Sequence, residues 1–205
     1  MIAILDYGSG NIRAIKNIYD RLNIKVAVAR TIDDLSCASK LILPGVGAFD
    51  DSINRLNDTG FREALDLMVI KEKVPILGVC VGMQMMACSS EEGESEGLGW
   101  FEYSKVVKIK ESTLAHKPKL PHMGWNSIAA SKEHLILKGL DEAKGFYFLH
   151  SYVFCCQPEH QLAATTYGEP FTSAIHKDNI FGFQFHPEKS HSNGIQVFKN
   201  FAELA

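Results

Sequence analysis

Three short stretches of this chain hold side chains whose types and spacing suit a reaction. In "GVCVGMQ" (78–84), Cys80 stands between Gly78 and Gly82 at the end of the apolar run 74–79. A buried strand has no use for two glycines, because each loses extra conformational entropy on folding. Strand, Gly-x-Cys-x-Gly and helix is the arrangement of a nucleophile elbow, with cysteine in the place of serine. The sharp turn lifts the thiol out of the sheet, and the start of the next helix offers positive potential to a thiolate. The Val81 N–H is then available to an oxyanion. The same five residues suit a small buried thiol equally well, and alone they do not separate the two readings.

A cysteine nucleophile needs a base, and "FGFQFHPEKS" (181–190) offers His186. Pro187 disfavours the helical region for His186 and holds it extended. Residues two apart in an extended chain share a face, so Glu188 is expected beside the imidazole, orienting it and stabilising its charged form. A His-Pro-Glu standing alone reads better as a strand end followed by a surface carboxylate. A metal reading of His186, Glu188 and His191 is weak, since their spacing matches no helical zinc motif.

The third stretch, "LILPGVGAFD" (41–50), runs from a buried strand into Pro44-Gly45-Val46-Gly47. Open α/β sheets place ligands at such C-terminal strand edges, and the turn can aim backbone N–H groups at a developing oxyanion. A peptide plane flanked by glycine can also rotate its N–H away at little steric cost. The competing Gly-x-Gly in "YGSGNI" suggests a dinucleotide fold. Arg13 occupies the third glycine position, however, and no acidic residue ends the second strand.

These residues need elements to hold them. Up to about residue 90, strand-like runs (2–5, 25–29, 40–44, 74–79) alternate with helical spacing. Ile12, Ile15, Ile18, Tyr19 and Leu22 line one helix, Phe61, Ala64, Leu65, Met68 and Val69 a second, and a third begins near Met83. This alternation predicts an α/β fold with an open, mostly parallel sheet covered by helices on both faces. Beyond Phe101 the runs shorten, "FTSAIH" and "IFGFQF" flank "KDN" as a hairpin, and antiparallel strands are expected in the second half. Ile195, Phe198, Phe201 and Leu204 mark a last helix. The acidic "SSEEGESEG" (89–97) reads as a solvated loop. The whole, 1–205, reads as one domain.

Composition narrows the function. Among 205 residues, 46% are hydrophobic and 22% charged, as in an ordinary globular protein with a sizeable core. A net charge of -3 with no stripe of Lys and Arg argues against nucleic acid as a partner. No apolar run approaches the ~20 residues that span a bilayer, and "MIAILDYG" reads as a core strand rather than a signal peptide. Five cysteines without a Cys-x-x-Cys pattern fit free thiols in a reducing cytoplasm. Cys37, Cys88, Cys155 and Cys156 lack the context of Cys80 and are assigned to packing.

Taken together, "LPGVGAF", "GVCVGMQ", "PHMGWN" (121–126), "HSY" (150–152) and "QFHPEKS" (184–190) occur in this order across the whole chain. They resemble the class I (triad) glutamine amidotransferases, which have a flavodoxin-like fold. The turn motif, "PHMGWN" and "DYGSGN" point within them to the glutaminase subunits of imidazole glycerol phosphate synthases. The resemblance implies hydrolysis of glutamine to glutamate and ammonia through a thioester, without a cofactor. It carries the nucleophile onto Cys80, the base onto His186 and the orienting acid onto Glu188. Oxyanion donors fall at Val46 and Val81, and glutamine contacts at Gly47, Gln84, Ser151 and Tyr152. It also implies a (β/α)-barrel cyclase subunit that receives the ammonia, with Asn11, Trp125, Tyr147 and Lys189 at or near the interface. Val81 stands where leucine or isoleucine is expected, a change that leaves a backbone role intact. Similar glutaminase subunits feed sugar-amidating enzymes of surface polysaccharide synthesis, which makes that pathway the alternative. Non-catalytic regulatory α/β proteins also keep an elbow cysteine, but they lack a pair placed like His186 and Glu188.

Overall fold

The computed structural model describes residues 1–115, 119–141 and 143–204. The apolar runs of the first half form β1 (Ile2–Leu5), β2 (Val26–Ala29), β3 (Lys40–Gly45) and β4 (Ile76–Cys80). Strands β1 and β4 are buried throughout and β3 is buried beyond Lys40, as parallel strands covered on both faces must be. The helices are α1 (Ile12–Arg21), α2 (Phe49–Asp58), α3 (Phe61–Leu65), α4 (Val81–Gln84) and α5 (His191–Glu203). α1 packs with α5, and α2 packs with α3 and α4.

The second half supplies β5 (Ser89–Ser90), β6 (Lys105–Lys108), β7 (His122–Asn126), β8 (Ala129–Ala130) and β9 (Phe146–His150). It continues with β10 (Tyr152–Cys155), β11 (Gln161–Tyr167), β12 (Glu169–Lys177) and β13 (Ile180–Phe183). The main sheet runs β2-β1-β3-β4-β13-β12-β10-β6-β5, and β11 joins β12 to β8. Its first five strands are parallel, and β12, β10 and β6 follow antiparallel. β7 and β9 pair separately, with Trp125 opposite Tyr147 and His122 opposite His150. The hairpin expected around "KDN" is β12–β13, closed by Asp178 and Asn179 with Asp178 at φ 52°.

Local structure departs from expectation where distant segments claim backbone groups. Helix α2 has too weak a sequence pattern to be expected, its buried apolar face being only Phe49, Ile53 and Leu56. Its first N–H is capped from afar, Phe49 N donating to Glu92 Oε2 at 2.9 Å. The helix expected over 61–69 is α only to Leu65 and a π-helix over Asp66–Lys71, with the Val69 carbonyl taken by Asn179. The helix expected from about Met83 starts at Val81 and lasts one turn. It stops because Leu98, Trp100 and Gly99 donate to the carbonyls of Met85, Met86 and Ala87. Of the cysteines assigned to packing, Cys37 and Cys155 are exposed, while Cys88 and Cys156 are half-buried.

Candidate active site

The C-terminal edges of β1, β3, β4 and β13 bring the three stretches together. Cys80 ends β4 at φ 56° and ψ -112°, a backbone conformation that non-glycine residues adopt only when their surroundings hold them there. The flanking glycines now have a physical reason. A Cβ on Gly82 would sit 1.9 Å from the Leu43 carbonyl oxygen, and one on Gly78 would meet Met86 and Gly82 within 2.8 Å. Gly82 lets the turn close against β3, and Gly78 lets the following helix fold back over β4.

His186 follows β13, and its Nδ1 lies 2.9 Å from Glu188 Oε1, with the two side chains 2% and 1% exposed. That leaves Nε2 available to Cys80, which lines the same cavity. Glu188 does not lie along an extended chain as expected. His186 is extended, but Pro187–Lys189 is a 3-10 turn, and the carboxylate reaches back from it. Burial opposes the imidazolium, yet the hydrogen bonds to Cys80 and to Glu188 outweigh it and raise the His186 pKa. A raised pKa keeps His186 charged to higher pH, and a charged imidazolium favours a thiolate beside it. In His186→Ala, alkylation of Cys80 by iodoacetamide near pH 6 should therefore fall about tenfold or more. Superimposable pH–rate curves for the two proteins would remove His186 from the site.

Three buried amides and carbonyls frame the thiol. Gln184, fully buried, donates from Nε2 to Cys80 Sγ at 3.8 Å and accepts Gln84 Nε2 at 3.0 Å. Gln84 Nε2 also donates to the Tyr152 carbonyl at 3.1 Å, so its free acceptor, Oε1, remains for a ligand. Val46, Gly47, Val81, Gln84, Glu92, Ser151 and Tyr152 join Cys80 and His186 around a cavity of about 140 Å³. Larger cavities, about 340 Å³ beside β10 and about 640 Å³ beneath His134, contain no cysteine–histidine pair. Chemistry, not volume, selects the site.

The oxyanion turn is not disposed as expected. The Val46 N–H donates to Ser9 Oγ at 3.0 Å, and the same hydroxyl donates to the Val46 carbonyl at 2.9 Å. Gly45 has no freedom to contribute, since its Cβ would lie 2.5 Å from the Gly82 nitrogen, and Tyr7 Oη holds the Pro44 carbonyl at 2.5 Å. Gly47 does carry a positive φ of +99° with open space around it.

Glu92, Ser9 and Gln184 were missed as site residues. The acidic stretch expected to be a solvated loop is tied down. Asp50 accepts the N–H groups of Glu94 and Ser95, Arg62 donates to the carbonyls of Gly97 and Glu96, and Glu92 lines the cavity. A serine directly before the Gly10 that packs on Pro44 was the available signal for Ser9.

Trp125, Tyr147 and Lys189 form one surface cluster. The indole is 47% exposed, lies edge-on to Tyr147 and stacks on His191 at 5.1 Å, and Lys189 Nζ sits 5.4 Å from the Tyr147 ring centre. Asn11 precedes α1, which packs beside the 187–189 turn, and its side chain caps nothing. Among the described residues, no group of three or more His, Cys, Asp or Glu is placed to hold a metal, and no helix is long and apolar enough to cross a membrane.

The model of the family "Glutamine amidotransferase class-I" matches residues 3–204. The chain belongs to the class-I glutamine amidotransferases. Within this family it is 50% identical over 205 residues to imidazole glycerol phosphate synthase subunit HisH of Bdellovibrio bacteriovorus, with 100% of both chains covered. The HisH 2 of Methanococcus maripaludis is 44% identical over 206 residues, again with 100% of each covered. A glutamine amidotransferase crystal structure matches with a TM-score of 0.73 at 19% identity over 99% of each chain. PurLQS from Thermotoga maritima gives 0.70 at 15% identity, covering 98% of this chain and 96% of that one. At those identities the structural matches speak for the fold alone, and the class-I fold is the α/β fold described above.

Proposed function

We propose that this amidotransferase hydrolyses L-glutamine to glutamate and ammonia at Cys80 and passes the ammonia to a (β/α)-barrel cyclase subunit. That partner makes imidazole glycerol phosphate and AICAR in histidine biosynthesis. The carrying observation is a cysteine held at positive φ on a strand–turn–helix that shares a small cavity with a histidine whose Nδ1 a buried glutamate holds. Identity to HisH subunits over the full chain supports the pathway, and the free thiols support the cytoplasm. We read 1–205 as one domain, and the Trp125–Tyr147–Lys189 cluster, with Asn11, as the partner's docking face.

In this reading the Cys80 thiolate attacks the amide carbon, and the C=O electrons move to an oxyanion taken by the N–H groups of Val81 and Val46. As the tetrahedral adduct collapses, the C–N bond breaks and the His186 imidazolium protonates the leaving nitrogen, giving ammonia and a thioester. Water then attacks the thioester while neutral His186 takes its proton. The C–S bond breaks, the thiolate–imidazolium pair returns, and the product carboxyl loses its proton to solvent. Ammonia protonated by bulk water would lose its nucleophilicity, which is why a closed docking face serves the reaction. Supplying glutamine with an isotopically labelled amide to the chain plus its barrel partner should place the label in the imidazole ring. Label appearing only as free ammonia would refute the transfer.

Substrate selection has its own test. Glu92 is the carboxylate on the cavity wall whose charge suits the α-ammonium of glutamine, and Gly47, Gln84, Ser151 and Tyr152 supply polar contacts. Glu92→Gln keeps an acceptor for the Phe49 N–H and removes only the charge. The KM for glutamine should rise about 10- to 100-fold, as expected for losing a hydrogen bond to a charged group. An analogue lacking the α-amino group should be handled equally by both proteins. If the variant discriminated against that analogue too, Glu92 would have a structural role instead.

A further inference from the structure

One buried polar chain in the second half has no part in the chemistry above. His122 and His150 face each other across β7 and β9, 3% and 7% exposed, among the rings of Phe148, Phe171 and Tyr167. A phenylalanine at either position would pack there without any polar group to satisfy, so the histidines need a reason. Their hydrogen bonds run in one direction. His150 Nδ1 lies 2.9 Å from the Tyr152 carbonyl oxygen, which can only accept, so Nδ1 carries the proton. In the neutral ring Nε2 is then an acceptor, and His122 Nδ1, 2.9 Å away, donates to it. Asn126 Nδ2 donates onward to His122 Nε2 at 3.3 Å, its amide orientation set by Thr166 O and Ser127 N. Burial, and then the neighbouring His122, push the His150 pKa down to about 3, which keeps the ring neutral.

The chain ends on the carbonyl that also accepts Gln84 Nε2. Tyr152 O is therefore the joint between this buried row and the wall of the glutamine cavity. The residues on either side of His150 serve the site as well, since the Leu149 carbonyl accepts from Cys80 Sγ at 3.9 Å and Ser151 lines the cavity. We propose that His150 is a positioning residue of the glutamine site: its Nδ1–H fixes the Tyr152 carbonyl and through it the Gln84 amide, while His122 holds the required tautomer. The proposal rests on the glutaminase reading of this cavity.

The test separates the two ring nitrogens. An asparagine amide can stand in for Nδ1 and keep the bond to Tyr152 O, whereas glutamine stands in for Nε2 and reaches only His122. The full-length chain and its His150→Asn, His150→Gln and His150→Phe variants would be labelled at Cys80 with a diazo-ketone analogue of glutamine and, in parallel, with iodoacetamide. Removing one of the two donors that fix the Tyr152 carbonyl should raise the half-saturating analogue concentration about tenfold or more in the Gln and Phe variants, with His150→Asn within about threefold of the parent. Iodoacetamide, which does not use the glutamine contacts, should label all four alike. Equal half-saturation in all variants would overturn the proposal, and so would an Asn variant as impaired as Gln, because a merely structural histidine does not distinguish the nitrogens. If His150→Phe does not fold, the comparison of Asn with Gln decides alone. A parent protein that iodoacetamide labels and the analogue does not would overturn the glutaminase reading itself, and this proposal with it.

Discussion

Cys80→Ala and Cys80→Ser should abolish glutaminase activity, a loss of about 10⁴-fold or more as in other nucleophile triads, and leave the fold intact. A diazo-ketone analogue of glutamine should label Cys80 and none of the four other thiols. Cys37 and Cys155 make that a demanding test, because both are exposed, while Cys80 is 4% exposed at the base of a small cavity. Reactivity of the buried thiol over exposed ones requires His186 beside it and a ligand-shaped approach. A label found by mass spectrometry on Cys155 would end the assignment. The backbone adds a second, independent readout. At φ 56° a side chain is strained and glycine is not, so Cys80→Gly should melt higher than Cys80→Ala, the difference favouring glycine by about 1 kcal/mol or more. A nucleophile that costs stability to keep is the mark of a site shaped for its chemistry rather than for packing.

The isolated chain should turn glutamine over slowly and be activated by its barrel partner, more so when that partner holds its ligand. The reason is Ser9. An N–H that donates to Ser9 Oγ is not free to take an oxyanion, and the same hydroxyl secures the Val46 carbonyl, so one side chain clamps the residue on both sides. An oxyanion donor is worth about 2.7–4 kcal/mol, a hundred- to a thousandfold in rate. Releasing the Val46 peptide is thus a large lever with a small structural step. Gly47, at φ +99° with open space, can absorb the rotation, whereas Gly45, pressed against Gly82, cannot. Ser9→Ala should raise the partner-free rate by up to about the same hundred- to thousandfold while leaving the partner-activated rate within a few-fold, so that the activation ratio shrinks. Turnover measured for the chain alone, with partner and with partner plus ligand decides it. Equal rates in all three states, or a Ser9→Ala protein with an unchanged ratio, would refute the switch and leave the triad standing.

Much of this molecule is legible in its sequence. The parallel strands, α1, α5, the β12–β13 hairpin and the elbow around Cys80 all come from side-chain periodicity and from glycines placed where no strand would want them, which are local properties of a short segment. The features that chain order could not decide depend on groups far apart in sequence. α2 is capped by Glu92, 43 residues away, so its own three apolar positions gave too weak a pattern to find it. The acidic stretch read as solvent-exposed because charge alone says nothing about whether Asp50 and Arg62 wait nearby to hold it, and Glu92 was hidden with it. Glu188 reaches His186 from a 3-10 turn rather than a strand, since proline restricts the residue before it and leaves the residues after it unconstrained. Ser9 lies 37 residues from Val46 and His122 lies 28 from His150. Types and spacing along the chain offered Cys80, His186 and Glu188 as candidate nucleophile, base and acid, because a nucleophile elbow and a His-Pro-Glu turn are built from neighbours. The resemblance to the class I amidotransferases chose that reading over packing. The state of the oxyanion peptide and the polar row behind the cavity belong to tertiary structure alone, because a hydrogen bond between distant segments exists only once the sheet has brought its strand ends together.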